Sequence, residues 1–156
     1  MSQQSAGILL YRLNQASIEV LLVHPGGPFW IKKDSGAWSI PKGEFSTTED
    51  PLTAAKREFE EETGSPISGE FIQLHPIRQK SGKIIQAWAI EGNIDAEHIT
   101  SNTFELEWPP KSGKKQQFPE VDKASWFTVP VAKQKIIQSQ VLLIDQLIDK
   151  LESYNN

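Results

Sequence analysis

Two apolar, branched runs begin the pattern, Ile8 to Arg12 and Ile18 to His24, parted by the turn-like Leu13-Asn14-Gln15-Ala16. They predict a pair of strands. Pro25-Gly26-Gly27-Pro28 breaks the chain, and Phe29-Trp30-Ile31-Lys32-Lys33 follows as a loop or short edge. Residues 36–41 predict another short strand. After Asp50 the period becomes helical: Leu52, Ala55, Phe59 and Thr63 fall on one arc, the face a helix buries. Asp50 before Pro51 is a helix start, because Asp caps free backbone donors and Pro suits the first helical position. Gly64-Ser65-Pro66 is a stop, since glycine accepts the left-handed cap and proline cannot continue. Phe71 to Pro76 and Ile84 to Ile90 predict two more strands around a polar turn near Ser81-Gly82. Residues 91–120 read as irregular and rich in Pro, Gly and Lys, long enough for a functional loop. Ala124 to Val129 predicts a last strand. Ile136, Ile137, Gln140, Val141, Ile144, Leu147, Ile148 and Leu151 then predict an amphipathic C-terminal helix. Strands interleaved with two helices point to an α/β protein, its sheet covered on both faces.

At 156 residues the expectation is one domain over residues 1–156, burying about two-thirds of its unfolded surface. The chain has no cysteine, which excludes disulfides, thiol nucleophiles and cysteine-based zinc sites. No apolar run reaches the length of a membrane span, and MSQQSAG lacks a signal peptide's basic start and apolar core. A cytoplasmic protein without a membrane partner is expected, monomer or homodimer. A net charge of −4 argues against broad nucleic-acid binding, although local basic patches still meet phosphates.

The chemistry concentrates on the first helix. At roughly 100° per residue, Glu58, Glu61 and Glu62 lie within an arc of about 100°. Like charges so placed repel by a few tenths of a kcal/mol per pair. A bound Mg²⁺, or Mn²⁺, turns that repulsion into coordination, because hard cations prefer carboxylate oxygens. A Glu-rich run alone is ordinarily a solvated face. Here, however, Gly43, Glu49, Arg57, Glu58, Glu61, Glu62 and Gly64 stand together in GEFSTTEDPLTAAKREFEEETG. All seven fixed letters are in the register of the Nudix box, and the segment resembles that signature of diphosphate-cleaving hydrolases. Phe59 and Ser65 occupy positions that are usually aliphatic. Trp38-Ser39-Ile40-Pro41-Lys42-Gly43 looks like the family's strand-and-turn approach to the box.

The resemblance spans nearly the whole chain and implies an α/β/α sandwich with a mixed β-sheet between helices. It implies metal-dependent hydrolysis of a nucleoside diphosphate linked to another moiety. Glu58, Glu61 and Glu62 would hold one or more Mg²⁺ ions, with the Gly43 carbonyl as a further ligand. A carboxylate would take the proton from the attacking water. Arg57 would orient the glutamates through a bidentate ion pair, with Glu49 as its partner. Nudix enzymes often bring another acidic residue to the metal, or use one as base. Glu120 in FPEVDKASWF matches that register, while Glu105 and Glu107 in FELEW are rivals, and a surface ion pair is the ordinary alternative for Glu120.

Substrate contacts lie outside the box. Lys42 faces either a phosphate or solvent. Trp30, Trp88, Phe104 and Trp108 are candidates to stack on a base. Trp88 and Trp126, inside strand-like runs, read as core, whereas Trp30 and Trp108 in loops remain open between stacking and packing. Lys111, Lys114 and Lys115 would meet distal phosphates or simply be solvated. His24, His75 and His98 share no metal-ligand spacing and read as structural or surface residues. SAGILLYR and WSIPKG are also similar to asymmetric dinucleoside tetraphosphate hydrolases, although residues 65–90 contain no tyrosine, that group's usual base-stacking residue. The expected substrate is a small nucleoside polyphosphate, a nucleoside triphosphate or dinucleoside tetraphosphate. A nucleotide sugar, an RNA cap, an inositol polyphosphate, or a non-catalytic nucleotide-binding role are the alternatives.

Overall fold

The apolar runs at the N-terminus form the middle of a mixed sheet in the computed structural model, which describes residues 4–154. The first three residues, part of the stretch considered above for a signal peptide, and the last two lie outside the described residues. β1 (Gln4–Asn14) pairs antiparallel with β2 (Ser17–Pro25) through the two-residue turn Gln15-Ala16, both at positive φ. β3 (Lys42–Glu44) also pairs antiparallel with β1, along Ser5 to Gly7. One edge comprises β4 (Ile72–Gln73) and β5 (Ile77–Arg78), both antiparallel to β6 (Ile84–Glu91). β6 runs parallel to β1, and β9 (Val121–Thr128) pairs antiparallel with β2.

β1 reads as a continuous apolar run because both its faces are covered. Ile8 and Leu10 pack with Ala54, Ala55 and Phe59 of α1 (Pro51–Thr63). Leu9 and Tyr11 turn the other way, against Ala132 of α2 (Val129–Lys135) and Leu143, Ile144 and Leu147 of α3 (Val141–Tyr154). The result is the expected α/β/α sandwich around a mixed sheet. Among the described residues, no helix is long and apolar enough to cross a membrane.

Three expectations are corrected. Residues 91–120 are not irregular throughout. They contain a 3₁₀ turn at Ala96–His98 and an antiparallel hairpin of β7 (Thr103–Glu107) and β8 (Lys115–Pro119). The alternation of Phe104 and Leu106 with Thr103, Glu105 and Glu107 is a strand signal, obscured by the Pro, Gly and Lys around it. The C-terminal helix does not begin at Ile136. Ile136 is extended and bridges Trp38, so the chain bends between α2 and α3 while Ile136 stays buried. Residues 36–41 make isolated bridges rather than a strand; the sheet takes up the chain again at Lys42.

Candidate active site

The box helix ends where local chemistry dictates. The Asp50 carboxylate accepts from the Thr53 amide at 3.0 Å, Pro51 opens the first turn, and Gly64 closes the last one at φ 81°. Arg57 then organises the exposed side. Its Nε and Nη2 each donate to one oxygen of Glu49 at 3.0 Å, the bidentate pair expected. Its Nη1 donates to Glu58 at 2.9 Å and to Glu61 at 3.1 Å. Glu49, above all, keeps the guanidinium protonated, and Arg57 in turn holds the Glu49 carboxyl below its ordinary value.

β3 delivers Gly43 to the other side of Glu58. A Cβ on Gly43 would stand 2.0 Å from a Glu58 carboxylate oxygen, so only glycine lets this strand and carboxylate approach so closely. Next to Gly43, the Lys42 amide donates to Glu62 at 3.3 Å. Burial pushes Glu62 up to about 8, with the Lys42 charge opposing it and Glu58 adding to it. Burial likewise draws Lys42 below its ordinary value, while Glu62 works to restore it. Glu58 is raised by burial and by Glu61, with Arg57 opposing.

Glu62 and Lys42 line a cleft of about 220 Å³ together with Val23, Pro25, Ser39, Ile40, Val121 and Glu120. Glu120 thus lines the same cleft as Glu62 from outside the box, at the junction of β8 and β9, where its carbonyl accepts from Gly26 and its amide donates to Asn102. Its charge acts on both Glu58 and Glu62. The rivals are engaged elsewhere on the hairpin. Glu105 pairs with Lys115 at 3.5 Å, and Glu107 accepts from the Gly113 amide at 2.8 Å.

Other candidates lie beyond the cleft. Trp30 is exposed in the loop after β2, with Lys33 over its ring at 5.3 Å. Trp108 sits at the start of the hairpin turn, edge-on to Phe29 at 5.3 Å, so loop and hairpin touch. Lys114 and Lys115 belong to the same hairpin and are exposed. Trp88 is buried, as its strand position predicts, and Trp126 donates to the Ile94 carbonyl under a stacked Arg12. Phe104 packs against Phe118 across the hairpin. His24 is buried between Asp122 and the Lys33 carbonyl, a structural tie for the loop.

A family model for the NUDIX domain matches residues 1–146. This chain belongs to the Nudix family. The mRNA-decapping protein g5R of African swine fever virus is 42% identical over 69 residues, 43% of this Nudix chain and 25% of the viral protein. The match therefore spans a quarter of that relative's length. The Nudix domain of Shewanella oneidensis NrtR, complexed with ADP ribose, superposes with a TM-score of 0.66 at 18% identity, covering 97% of this chain and 89% of that one. A C. elegans Ap4A hydrolase binary complex gives 0.63 at 21%, covering 97% and 98%. At these identities the two structures show a shared fold.

The Nudix box brings Glu58, Glu62, Gly43 and Lys42 together, with Glu120 alongside. Glu61 shares Arg57 on the flank instead of lining the cleft. Among the described residues no three acidic or histidine side chains converge ready-made on a metal position. Even so, the donor chemistry fits a hard cation. Burial first, and then neighbouring carboxylates including Glu120, disfavour the charged forms of Glu58 and Glu62, a cost that a bound hard cation would relieve. Ser39, named in the sequence only as part of the approach to the box, lines the cleft because residues 38–41 are held against β1 and β2.

Proposed function

We propose that this chain is a metal-dependent Nudix pyrophosphohydrolase that cleaves a diphosphate linkage in a nucleoside polyphosphate, with a nucleoside triphosphate or dinucleoside tetraphosphate preferred to a nucleotide sugar. The observation that carries the reading is the cleft in which Glu62 and Glu120 face Lys42, beside Glu58 against Gly43. Glu58, Glu61, Glu62, Glu120 and the Gly43 carbonyl would hold Mg²⁺, for which Mn²⁺ can substitute. When bound, the cation neutralises the diphosphate and acidifies a water. Arg57 keeps Glu58 and Glu61 oriented between Glu49 and the cleft. One carboxylate of the set accepts the proton of the attacking water. Lys42, half-buried, meets a phosphate oxygen at the cleft wall. Trp30 and Trp108 offer aromatic faces for a base, and Lys114 and Lys115 extend the surface toward distal phosphates. A phosphate- and pyrophosphate-release screen with Mg²⁺ tests this, using nucleoside triphosphates, dinucleoside tetraphosphates, nucleotide sugars and a cap analogue. Turnover of a triphosphate or dinucleoside tetraphosphate above the sugars is expected. Preference for a nucleotide sugar or the cap analogue would overturn the substrate reading, and no turnover of any would overturn the enzymatic one.

A further inference from the structure

The wall of the cleft is held from an unexpected direction. Residues 39–41 run as non-repetitive chain between β1 and β2: Ser39 bridges Val23, its carbonyl accepting at 2.8 Å and its amide donating at 3.0 Å, but no regular ladder continues through Ile40 before β3 begins at Lys42. β1 supplies part of the support: the Ile8 amide donates to the Pro41 carbonyl at 3.1 Å. Gly7 permits that approach, since a Cβ there would stand 2.8 Å from Ile40 Cδ1, from Lys42 Cβ and from the Pro41 carbonyl oxygen. Further support comes from Gln140, a hundred residues away in the 3₁₀ turn Gln138–Gln140 that precedes α3. Gln140 is fully buried. Its Oε1 accepts from the Ile40 amide at 3.0 Å, and its Nε2 donates to Ser39 Oγ at 3.0 Å. The Ser39 hydroxyl in turn donates to the Ile40 carbonyl at 2.7 Å.

A fully buried polar side chain is costly unless it makes such bonds, and an apolar residue there would leave the Ile40 amide unpaired. The two residues it grips line the cleft with Lys42, Glu62 and Glu120, and they lead directly into Gly43. We infer that Gln140 is a positioning residue for the catalytic cleft, setting Ser39 and Ile40 and through them the placement of Lys42 and Gly43 against Glu62 and Glu58. The inference rests on the proposed metal-dependent reading of that cleft. It gives the bend between α2 and α3 a purpose, because a continuous helix from Ile136 would carry Gln140 away from Ile40.

The test compares Gln140→Leu and Ser39→Ala with Leu147→Ala, a cavity variant in the same core with no bond to the cleft wall. Mn²⁺ binding without substrate is measured by electron paramagnetic resonance, Ile40 amide exchange by NMR, and kcat and KM on whichever polyphosphate the wild type cleaves. Losing an outer partner of a metal site typically costs roughly 10- to 100-fold in metal affinity or activity. Gln140→Leu should weaken Mn²⁺ binding by about tenfold or more and accelerate Ile40 exchange. Ser39→Ala should shift binding in the same direction and stands in if Gln140→Leu does not fold. Leu147→Ala should lower Tm while leaving Mn²⁺ binding unchanged. Wild-type Mn²⁺ binding in the folded Gln140→Leu and Ser39→Ala variants, or an equal loss in Leu147→Ala, overturns the inference. A wild type that binds Mn²⁺ but cleaves no polyphosphate overturns the hydrolase reading instead, and leaves the role of Gln140 measurable by the binding arm.

Discussion

Gly43→Ala separates folding from chemistry at a single methyl group. The added Cβ would lie 2.0 Å from one Glu58 carboxylate oxygen and 2.1 Å from Cδ, whereas ordinary contact begins at 3.4 Å. The clash meets the far end of a side chain, so the carboxylate moves and the backbone stays. Relief requires a displacement of about 1.4 Å, the difference between the observed and ordinary separations. That is enough to break the 2.9 Å bond from Arg57. Gly43 is not among the glycines at positive φ, so alanine meets no backbone strain. Alanine even stabilises by about 0.4–1 kcal/mol through the unfolded chain. Loss of the surface pair between Arg57 and Glu58 offsets this by roughly 0–1 kcal/mol. The net is near zero, and Tm should move by no more than about 4 °C. Catalysis should respond very differently. A misplacement of about 1 Å can cost 10²-fold, so kcat should fall by about that factor and the Mg²⁺ needed for half-maximal rate should rise. Thermal melting and Mg²⁺ titrations of turnover on the purified variant provide both readings. A folded Gly43→Ala protein with wild-type kcat and Mg²⁺ dependence would refute the reasoning.

Four other outcomes are expected. Glu61→Gln and Glu62→Gln should each lower kcat by at least about a hundredfold without unfolding the protein, and near-normal turnover by both in saturating Mg²⁺ would sink the metal-site assignment. Glu120→Gln should lose turnover and change the metal dependence, while Glu105→Gln and Glu107→Gln should not, because those two are engaged on the hairpin; the reverse pattern in kinetic assays would remove Glu120 from the site. Changing Lys114 and Lys115 together to Ala should raise KM mainly for the longer polyphosphates, and equal KM changes for ADP-ribose and a dinucleoside tetraphosphate would count against it. Asp34 is held below its ordinary value by Lys135 and then by the Trp38 indole, so its contribution to stability is present above the unfolded carboxyl pKa of about 3.9 and is lost as pH falls through the lower folded value. The Tm gap between wild type and Asp34→Asn should therefore be steady near neutrality and close below about pH 4, and a gap unchanged down to acid pH would contradict it.

How much was written locally can be judged residue by residue. The box helix depended on Asp50, Pro51 and Gly64, whose capping preferences act within a turn, and its bounds coincide with those read from the chain. The two-faced burial of β1 and β2 was likewise legible, because unbroken apolar runs have few other fates. The spacing of Glu58, Glu61 and Glu62 followed from helical geometry alone. Which of them lines the cleft did not. Residues one position apart point about 100° away from each other, so packing against β3 places Glu62 beside Lys42 and leaves Glu61 with Arg57. The hairpin of residues 103–119 escaped because its local alternation is short and is masked by the Pro, Gly and Lys around it. The bend at Ile136 escaped for the opposite reason: its apolar side chain satisfies the core either as helix or as extended chain, and only its bridge to Trp38 selects between them. Gln140 read as one polar position among apolar ones. Its partners, Ser39 and Ile40, are a hundred residues distant, and a bond across that separation exists only once the sheet has brought both ends of the chain together.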